Sequence, residues 1–378
     1  MKYFSTFSGI GGFELGIKRA YELLHTKRGE DKKSKKDSEK RNEKGERLLS
    51  SKRKETSTKN GRNSQHSTNK SNKKPLCVGY SEVDKYAKQI YRKQFPKHKN
   101  YGDITKINTK DLPEFELLIG GFPCQSFSIA GKRGGFSDTR GTLFFDLARL
   151  AQQRKPRLLL FENVKGLLSH DKGQTFRTII RTLDELGYDL QWQVLNSKYH
   201  GVPQNRERVF IVGHLRGTPR PEVFPIGGDD KISNRENESG RGQSQAEHST
   251  TVRDGMGDKA DSTFIKVKEA TSKGYDIATE GDSINYTHPK SKTRRGRVGK
   301  DIANTLDTSS NQATLENNKI RKLTPTECER LQGFPDGWTK TGIDENGNEV
   351  EISDTQRYKT LGNAVTVNVI EDIVKKLI

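Results

Sequence analysis

One thiol and one carboxylate, each at the end of an apolar run, are the groups in this chain best placed to do chemistry. Cys124 follows Leu117-Leu118-Ile119-Gly120-Gly121-Phe122-Pro123, which reads as a buried strand stopped by two glycines. Further along, Leu158-Leu159-Leu160-Phe161 runs into Glu162-Asn163-Val164, putting a carboxylate at the end of the next strand. Ligands of open α/β sheets bind at that edge. A lone cysteine is more often a small buried core residue. A thiol and a carboxyl at one sheet edge, however, suit a reaction in which the first attacks a ring and the second handles its proton. Gln204-Asn205-Arg206-Glu207-Arg208 leads into another apolar strand, Val209–Val212. Its two arginines are read as facing opposite ways unless the backbone bends, so that one reaches the site while the other packs elsewhere.

The elements that must position these groups alternate. Tyr3–Phe7 reads as a strand entering a glycine turn, Ser8-Gly9-Ile10-Gly11-Gly12. A helical pattern follows, with Phe13, Ile17, Ala20, Tyr21 and Leu24 on one face. Strand, glycine turn and helix open a nucleotide-type fold, although a merely tight turn fits the same residues. A second strand, Leu76–Tyr80, precedes Glu82, which falls where such folds place a ribose-binding acid once the intervening polar stretch is set aside. Asp103 is a candidate for the cofactor's base or amine, or an ordinary cap. A helix at 84–95, one at 175–186 ended by Gly187, and a strand at 191–195 continue the alternation. The expected architecture is α/β, with a doubly wound, mainly parallel sheet.

The 378 residues are 30% hydrophobic with mean hydropathy −0.92, so part of the length is not core. Net charge is +19, which makes an anionic polymer the leading partner. Residues 27–74 carry 18 basic and 7 acidic side chains and almost no aliphatic ones. This stretch reads as a disordered insertion, either a spacer or a phosphate-binding arm. Beyond it the chain is still net basic. The loop from Ser126 to Gly141 carries Lys132, Arg133 and Arg140 and suits a lid over a phosphate backbone. A second basic run, Lys290–Arg297, includes Arg294, Arg295 and Arg297 and lies in a loop-rich segment, 217–318, suited to a nucleic-acid surface. Three cysteines without a C-x-x-C pair argue against a disulfide framework or a zinc site. No run approaches a membrane span and the N-terminus lacks a secretory pattern, so a soluble, cytoplasmic protein is expected.

In order, Phe7–Phe13, Gly121–Ser128, Asp138–Phe144, Glu162–Val164, Gln204–Arg208, Arg321–Trp338 and Gly362–Val365 resemble the motifs of the bacterial-type DNA (cytosine-5)-methyltransferases. The resemblance covers nearly the whole chain apart from 27–74 and the middle of 217–320. The polar insertion and Val83, where many members carry an aromatic residue, are departures.

The resemblance implies a Rossmann-like S-adenosylmethionine-dependent fold and methylation of carbon-5 of a flipped-out cytosine through a Cys124 adduct. It implies a catalytic domain at 1–216, a target-recognition domain at 217–320, and a returning segment at 321–378. Cys124 would be the nucleophile, Glu162 the acid at N3, and Arg208 with Arg206 the holders of O2. The glycine turn (Gly9, Gly11, Gly12) would bind the donor, with Phe7 near the adenine and Glu82 and Val83 at the ribose. Asp103 and Ile104 would hold the adenine, and Asn363 and Ala364 the methionine end. Ser126, Ser128, Lys132, Arg133, Arg140, Arg294, Arg295 and Arg297 are candidate DNA contacts. The expected partner is double-stranded DNA, bound by a monomer near the bacterial nucleoid, with a cognate restriction endonuclease acting separately. The rival readings are an RNA (tRNA) cytosine-5 methyltransferase and a DNA-binding protein on the same fold that no longer turns over.

Overall fold

The computed structural model describes residues 1–26, 74–123, 143–227, 264–287, 293, 295–309, 311–317 and 319–378. Nearly all of the 27–74 stretch and the loop following Cys124 lie outside them.

The central sheet is built from β1 (Lys2–Thr6), β2 (Leu76–Ser81), β3 (Leu117–Gly121), β4 (Leu158–Val164), β5 (Tyr188–Asn196) and β7 (Glu207–Leu215) in the order β2-β1-β3-β4-β7-β5. The pairs β1–β2, β1–β3 and β3–β4 are parallel, and β7 runs antiparallel to both neighbours. The expected mainly parallel sheet is therefore present, with a reversal at its far side: the chain forms the edge strand β5 and folds back to insert β7 beside β4.

The unbroken apolar runs of β3 and β4 follow from cover on both faces. Leu118, Leu159, Phe161, Val209 and Ile211 point to one side, against α3 (Leu143–Arg154) and α4 (Gln174–Glu185). Leu117, Ile119, Leu158, Leu160, Phe210 and Val212 point to the other, against the helix α1 at residues 12–26 and the last helix, α7 (Val367–Leu377). Gly16 permits the α1–α7 contact, since a Cβ there would sit 2.7 Å from Ile370 Cβ.

The loop-rich segment contains more regular structure than its composition suggested. A hairpin pairs β8 (Ile265–Lys268) with β9 (Tyr275–Ala278), and a four-stranded sheet joins β10 (Ser283–Asn285), β11 (Val298–Gly299), β13 (Gln312–Glu316) and β14 (Lys319–Lys322). These strands bury Val267, Ala278, Ile284, Val298 and Leu315 together. Past the first of the two segment limits read from the sequence, Val223 lies in the main core, and Gln191 and Gln193 hold the backbone of residues 223–226. At the other limit, 320/321 falls inside β14.

A short two-stranded sheet links the segment carrying the small sheet to the stretch before β7. β12 (Ala303–Asn304) pairs in parallel with β6 (Gln204–Asn205), and Thr305 Oγ1 donates to Asn205 O at 2.8 Å. The C-terminal segment supplies α5 (Pro325–Leu331), opened by a capping box between Thr324 and Glu327, and α6 (Asp354–Asn363).

Candidate active site

The strands of the parallel sheet end on a common edge, and a cleft of about 460 Å³ lies there. It is lined by Phe7 and Gly9 beyond β1, Glu82 and Val83 beyond β2, Phe122 and Pro123 beyond β3, and Glu162 and Asn163 at the end of β4. Asp103, Ile104, Arg206, Arg208 and Asn363 complete the walls. Side chains far apart in sequence converge because every parallel strand delivers its C-terminal residue to the same side.

At one end of the cleft, Glu162 Oε1 lies 3.1 Å from Arg208 Nε, across the β4–β7 ladder. Burial pushes the Glu162 carboxyl above the ordinary carboxylate range, with Arg208 and Arg206 opposing. The two glycines that stop β3 make room for this arrangement. A Cβ on Gly121 would sit 2.8 Å from Glu162 Oε2, and one on Gly120 would collide with Thr6 Oγ1. Asn163, quoted within the sequence motif but given no role, donates from Nδ2 to Phe122 O at 2.7 Å. It thereby ties the end of β4 to the backbone two residues before Cys124. Its place at a strand end is visible in the sequence; its partner is not.

Cys124, Ser126, Ser128, Lys132, Arg133, Arg140 and Arg294 lie outside the described residues. The β3 wall of the cleft reaches Pro123, the residue before Cys124 in sequence. The two cysteines that are described, Cys77 and Cys328, are buried, and burial pushes both thiols up to about 12, so neither is a thiolate near neutral pH.

At the other end, Glu82 accepts backbone N–H bonds from Gly9, Val83 and Asp84, each at 2.8 Å. Gly9 has φ +53° and nothing within 4 Å of where a Cβ would be, leaving a bare backbone beside the carboxylate. Asp103 stands where both readings of it remain open. It lines the cleft and also caps the 3₁₀ turn Ile104–Lys106, accepting from Thr105 N at 3.0 Å. Val83 is 63% exposed at the lip.

Gly11, Gly12 and Ala364, expected at the donor, are not among the residues that line the cleft. A Cβ on Gly11 would meet Phe95 at 2.4 Å and one on Gly12 would meet Val365 at 2.9 Å. Side chains crowd both positions, and Gly11 also has a left-handed φ of +86°. Ala364 is buried, with its carbonyl held by Arg206 at 2.7 Å, while Asn363 beside it faces the cleft.

The two arginines do diverge, for a reason other than strand alternation, since residues two apart in a regular strand share a face. Arg206 falls in the break between β6 and β7. Its guanidinium donates to Leu306 O, Gly362 O and Ala364 O, so it clasps the returning segment. Arg208, inside β7, faces Glu162.

A second, more open cleft of about 430 Å³ runs beside the first, between Val164–Gly166, Asn205–Arg208 and the basic segment Arg295–Arg297, with Asn304 and Thr305. Arg295 is exposed there, one nitrogen on Ala270 O. Arg297 corrects the expectation of a DNA contact. It is 3% exposed and donates to Lys268 O, Asn285 O and Thr287 O, knitting the β8–β9 hairpin to the neighbouring sheet.

The mainly parallel sheet, with a cleft at its strand ends that joins a glycine turn and Glu82 to the Glu162–Arg208 pair, has the fold class of the Rossmann-like methyltransferases. The chain belongs to the C-5 cytosine-specific DNA methylases, matching that family over residues 69–378. It is a DNA (cytosine-5)-methyltransferase that uses S-adenosylmethionine as methyl donor.

Among its relatives it is 37% identical to the type II methyltransferase M1.ScrFI of Lactococcus lactis subsp. cremoris, over 81% of this chain and 72% of that protein. It is 39% identical to the type II methyltransferase M.SsoII of Shigella sonnei, over 83% and 76% respectively. The fold matches that of the Entamoeba histolytica methyltransferase EhMeth with a TM-score of 0.51 at 17% identity, over 100% of this chain and 97% of that one. Among the described residues, no group of His, Cys, Asp and Glu could hold a metal ion, and no helix is long and apolar enough to cross a membrane.

Proposed function

We propose that the first cleft is both the donor site and the cytosine pocket, with Cys124 as nucleophile, Glu162 as acid and Arg208 as holder of the ring. The observation that carries this is the Glu162–Arg208 pair at 3.1 Å in a cleft that also contains Glu82 and Gly9 and reaches Pro123. Carbon-5 of cytosine is too weak a nucleophile to take a methyl group directly. Addition of the Cys124 thiolate to carbon-6 breaks aromaticity and gives carbon-5 enamine character. Negative charge then accumulates on the ring. Burial favours the protonated form of the carboxyl, which can donate to N3, and the guanidinium beside it can bind O2. Arg206, with its terminal nitrogens committed to carbonyls, acts by positioning rather than by touching the base.

S-Adenosylmethionine, when bound, supplies an electrophilic methyl group on sulfur. The residues fit it: Glu82 and Asp103 offer acceptors for ribose and adenine, Phe7, Val83 and Ile104 offer apolar surface, and Gly9 offers bare backbone. Asn363 faces the same space from the returning segment.

A stacked base cannot present carbon-6 to a thiol, so the target nucleotide is flipped from duplex DNA, at a cost of a few kcal/mol recovered from contacts. Lys132, Arg133, Arg140, Arg294 and Arg295, with Ser126 and Ser128, are assigned to the DNA. The large unit comprises the N-terminal part to about residue 226 together with the segment after β14, and the strands between form the target-recognition unit. As its type II relatives suggest by name, the enzyme serves a restriction-modification system, acting as a cytoplasmic monomer.

The test is transfer of tritiated methyl from S-adenosylmethionine to duplex DNA and to tRNA, with a 5-fluorocytosine duplex as trap. Labelled DNA and a covalent complex that Cys124→Ser abolishes are expected. Label on tRNA alone would overturn the substrate, and a complex that survives Cys124→Ser would overturn the nucleophile.

A further inference from the structure

We propose that Lys359 is a positioning residue for the methyl donor, acting through Asp84 on the carboxylate of Glu82; this rests on the reading of the cleft as the donor site. Two ion pairs among the described residues have both members in the cleft wall, Arg208–Glu162 and Lys359–Asp84. The chemistry of the base accounts for the first and leaves the second unexplained.

Lys359 Nζ, on α6, lies 2.9 Å from Asp84 Oδ2, 275 positions away in sequence. The other oxygen of Asp84 caps α2 (Lys85–Gln94), accepting from Tyr86 N and Ala87 N at 3.0 Å. The Asp84 N–H donates to Glu82 Oε1, and Glu82 Oε2 accepts from Gly9 N, both at 2.8 Å. Lysine, aspartate, glutamate and glycine thus form one chain of contacts around the cleft, linking the returning helix, the turn after β2 and the glycine turn after β1.

An ion pair this exposed, with side chains 45% and 31% accessible, adds little to global stability. Its placement gives it a local use. The Glu82-Val83-Asp84 turn is held from below by the α2 cap, at its start by Asn100, which bonds the Glu82 N–H and carbonyl, and from across the cleft by Lys359. Without Lys359 the turn keeps the cap and loses the restraint that fixes it against α6. A carboxylate that is not pre-oriented must be ordered when ribose binds, and that ordering weakens affinity.

The experiment titrates the full-length enzyme with S-adenosylhomocysteine. K359M and D84N are each expected to weaken binding by about threefold to fivefold, the scale of an exposed ion pair. Asparagine keeps the cap acceptor, so D84N separates loss of the pair from loss of the helix start. The double variant should bind no more weakly than either single one, K359R should restore affinity, and the K359M deficit should shrink at high salt, where the pair is screened. E82Q serves as the reference. If E82Q weakens binding while K359M matches wild type, or if the two single losses add, the positioning role is overturned. If E82Q itself binds like wild type, the reading of the cleft fails and takes this inference with it.

Discussion

Glu162 Oε1 and Arg208 Nε face each other at 3.1 Å across antiparallel strands, and the two groups have opposite electrostatic needs. Burial raises the carboxyl and lowers the guanidinium, while each opposes the shift in the other. A carboxyl that must give a hydrogen bond to N3 gains from the first effect. Glu162→Gln is expected to lower the single-turnover methylation rate by about 10²–10⁴-fold while product binding persists. The sign of the pH dependence follows: an acid works only while protonated, so the wild-type rate should fall as pH rises through a pKa above the ordinary carboxylate value. A Glu162→Gln profile that keeps this limb assigns it to another group.

Asn163 tests the scaffold rather than the chemistry. Asn163→Ala removes the buried bond to Phe122 O, and urea unfolding should show a loss of about 1 kcal/mol, the scale of one hydrogen bond. Because the same bond steadies the backbone leading to Cys124, trapping on fluorinated DNA should slow as well. Unchanged unfolding would show that the carbonyl finds another donor.

Glu14, on α1 behind the glycine turn, is 1% exposed and accepts from the Tyr91 hydroxyl at 3.0 Å. Burial raises its pKa from the ordinary 4.5 to about 7. With the folded value above the unfolded one, its stabilising contribution is complete below the unfolded pKa and is lost as pH rises to about 7. The wild type should therefore lose about 3 kcal/mol relative to Glu14→Gln across that window. Parallel stability–pH curves for the two proteins would contradict this.

Arg295 and Arg297 should separate in a salt titration of DNA binding. Arg295→Ala is expected to lower the slope of log K against log salt by about one, as for one lost phosphate contact. Arg297→Ala removes the donor of three carbonyl bonds inside the small sheet and should appear as a lower melting temperature. A slope change for Arg297 and none for Arg295 would reverse the assignment.

Much of the architecture was legible because it follows local rules. Apolar runs covered on both faces, glycine turns after strands and a capping box at Thr324 specify the alternating fold, and they bring Glu162, Glu82 and Phe7 to one edge. The chain alone also determined the motif order from which the reaction was inferred. Its limits were non-local. Whether a glycine is bare toward a ligand or crowded from behind depends on partners such as Phe95 and Val365, which no spacing announces, so Gly9 parted from Gly11 and Gly12. Whether an arginine in a basic run meets solvent or carbonyls depends on which strands surround it, which parted Arg295 from Arg297. Asp84 and Lys359, 275 positions apart, became neighbours only when the last helices returned to the first strands. Sequence periodicity encodes which way a side chain faces; only the closed tertiary structure decides what it meets there.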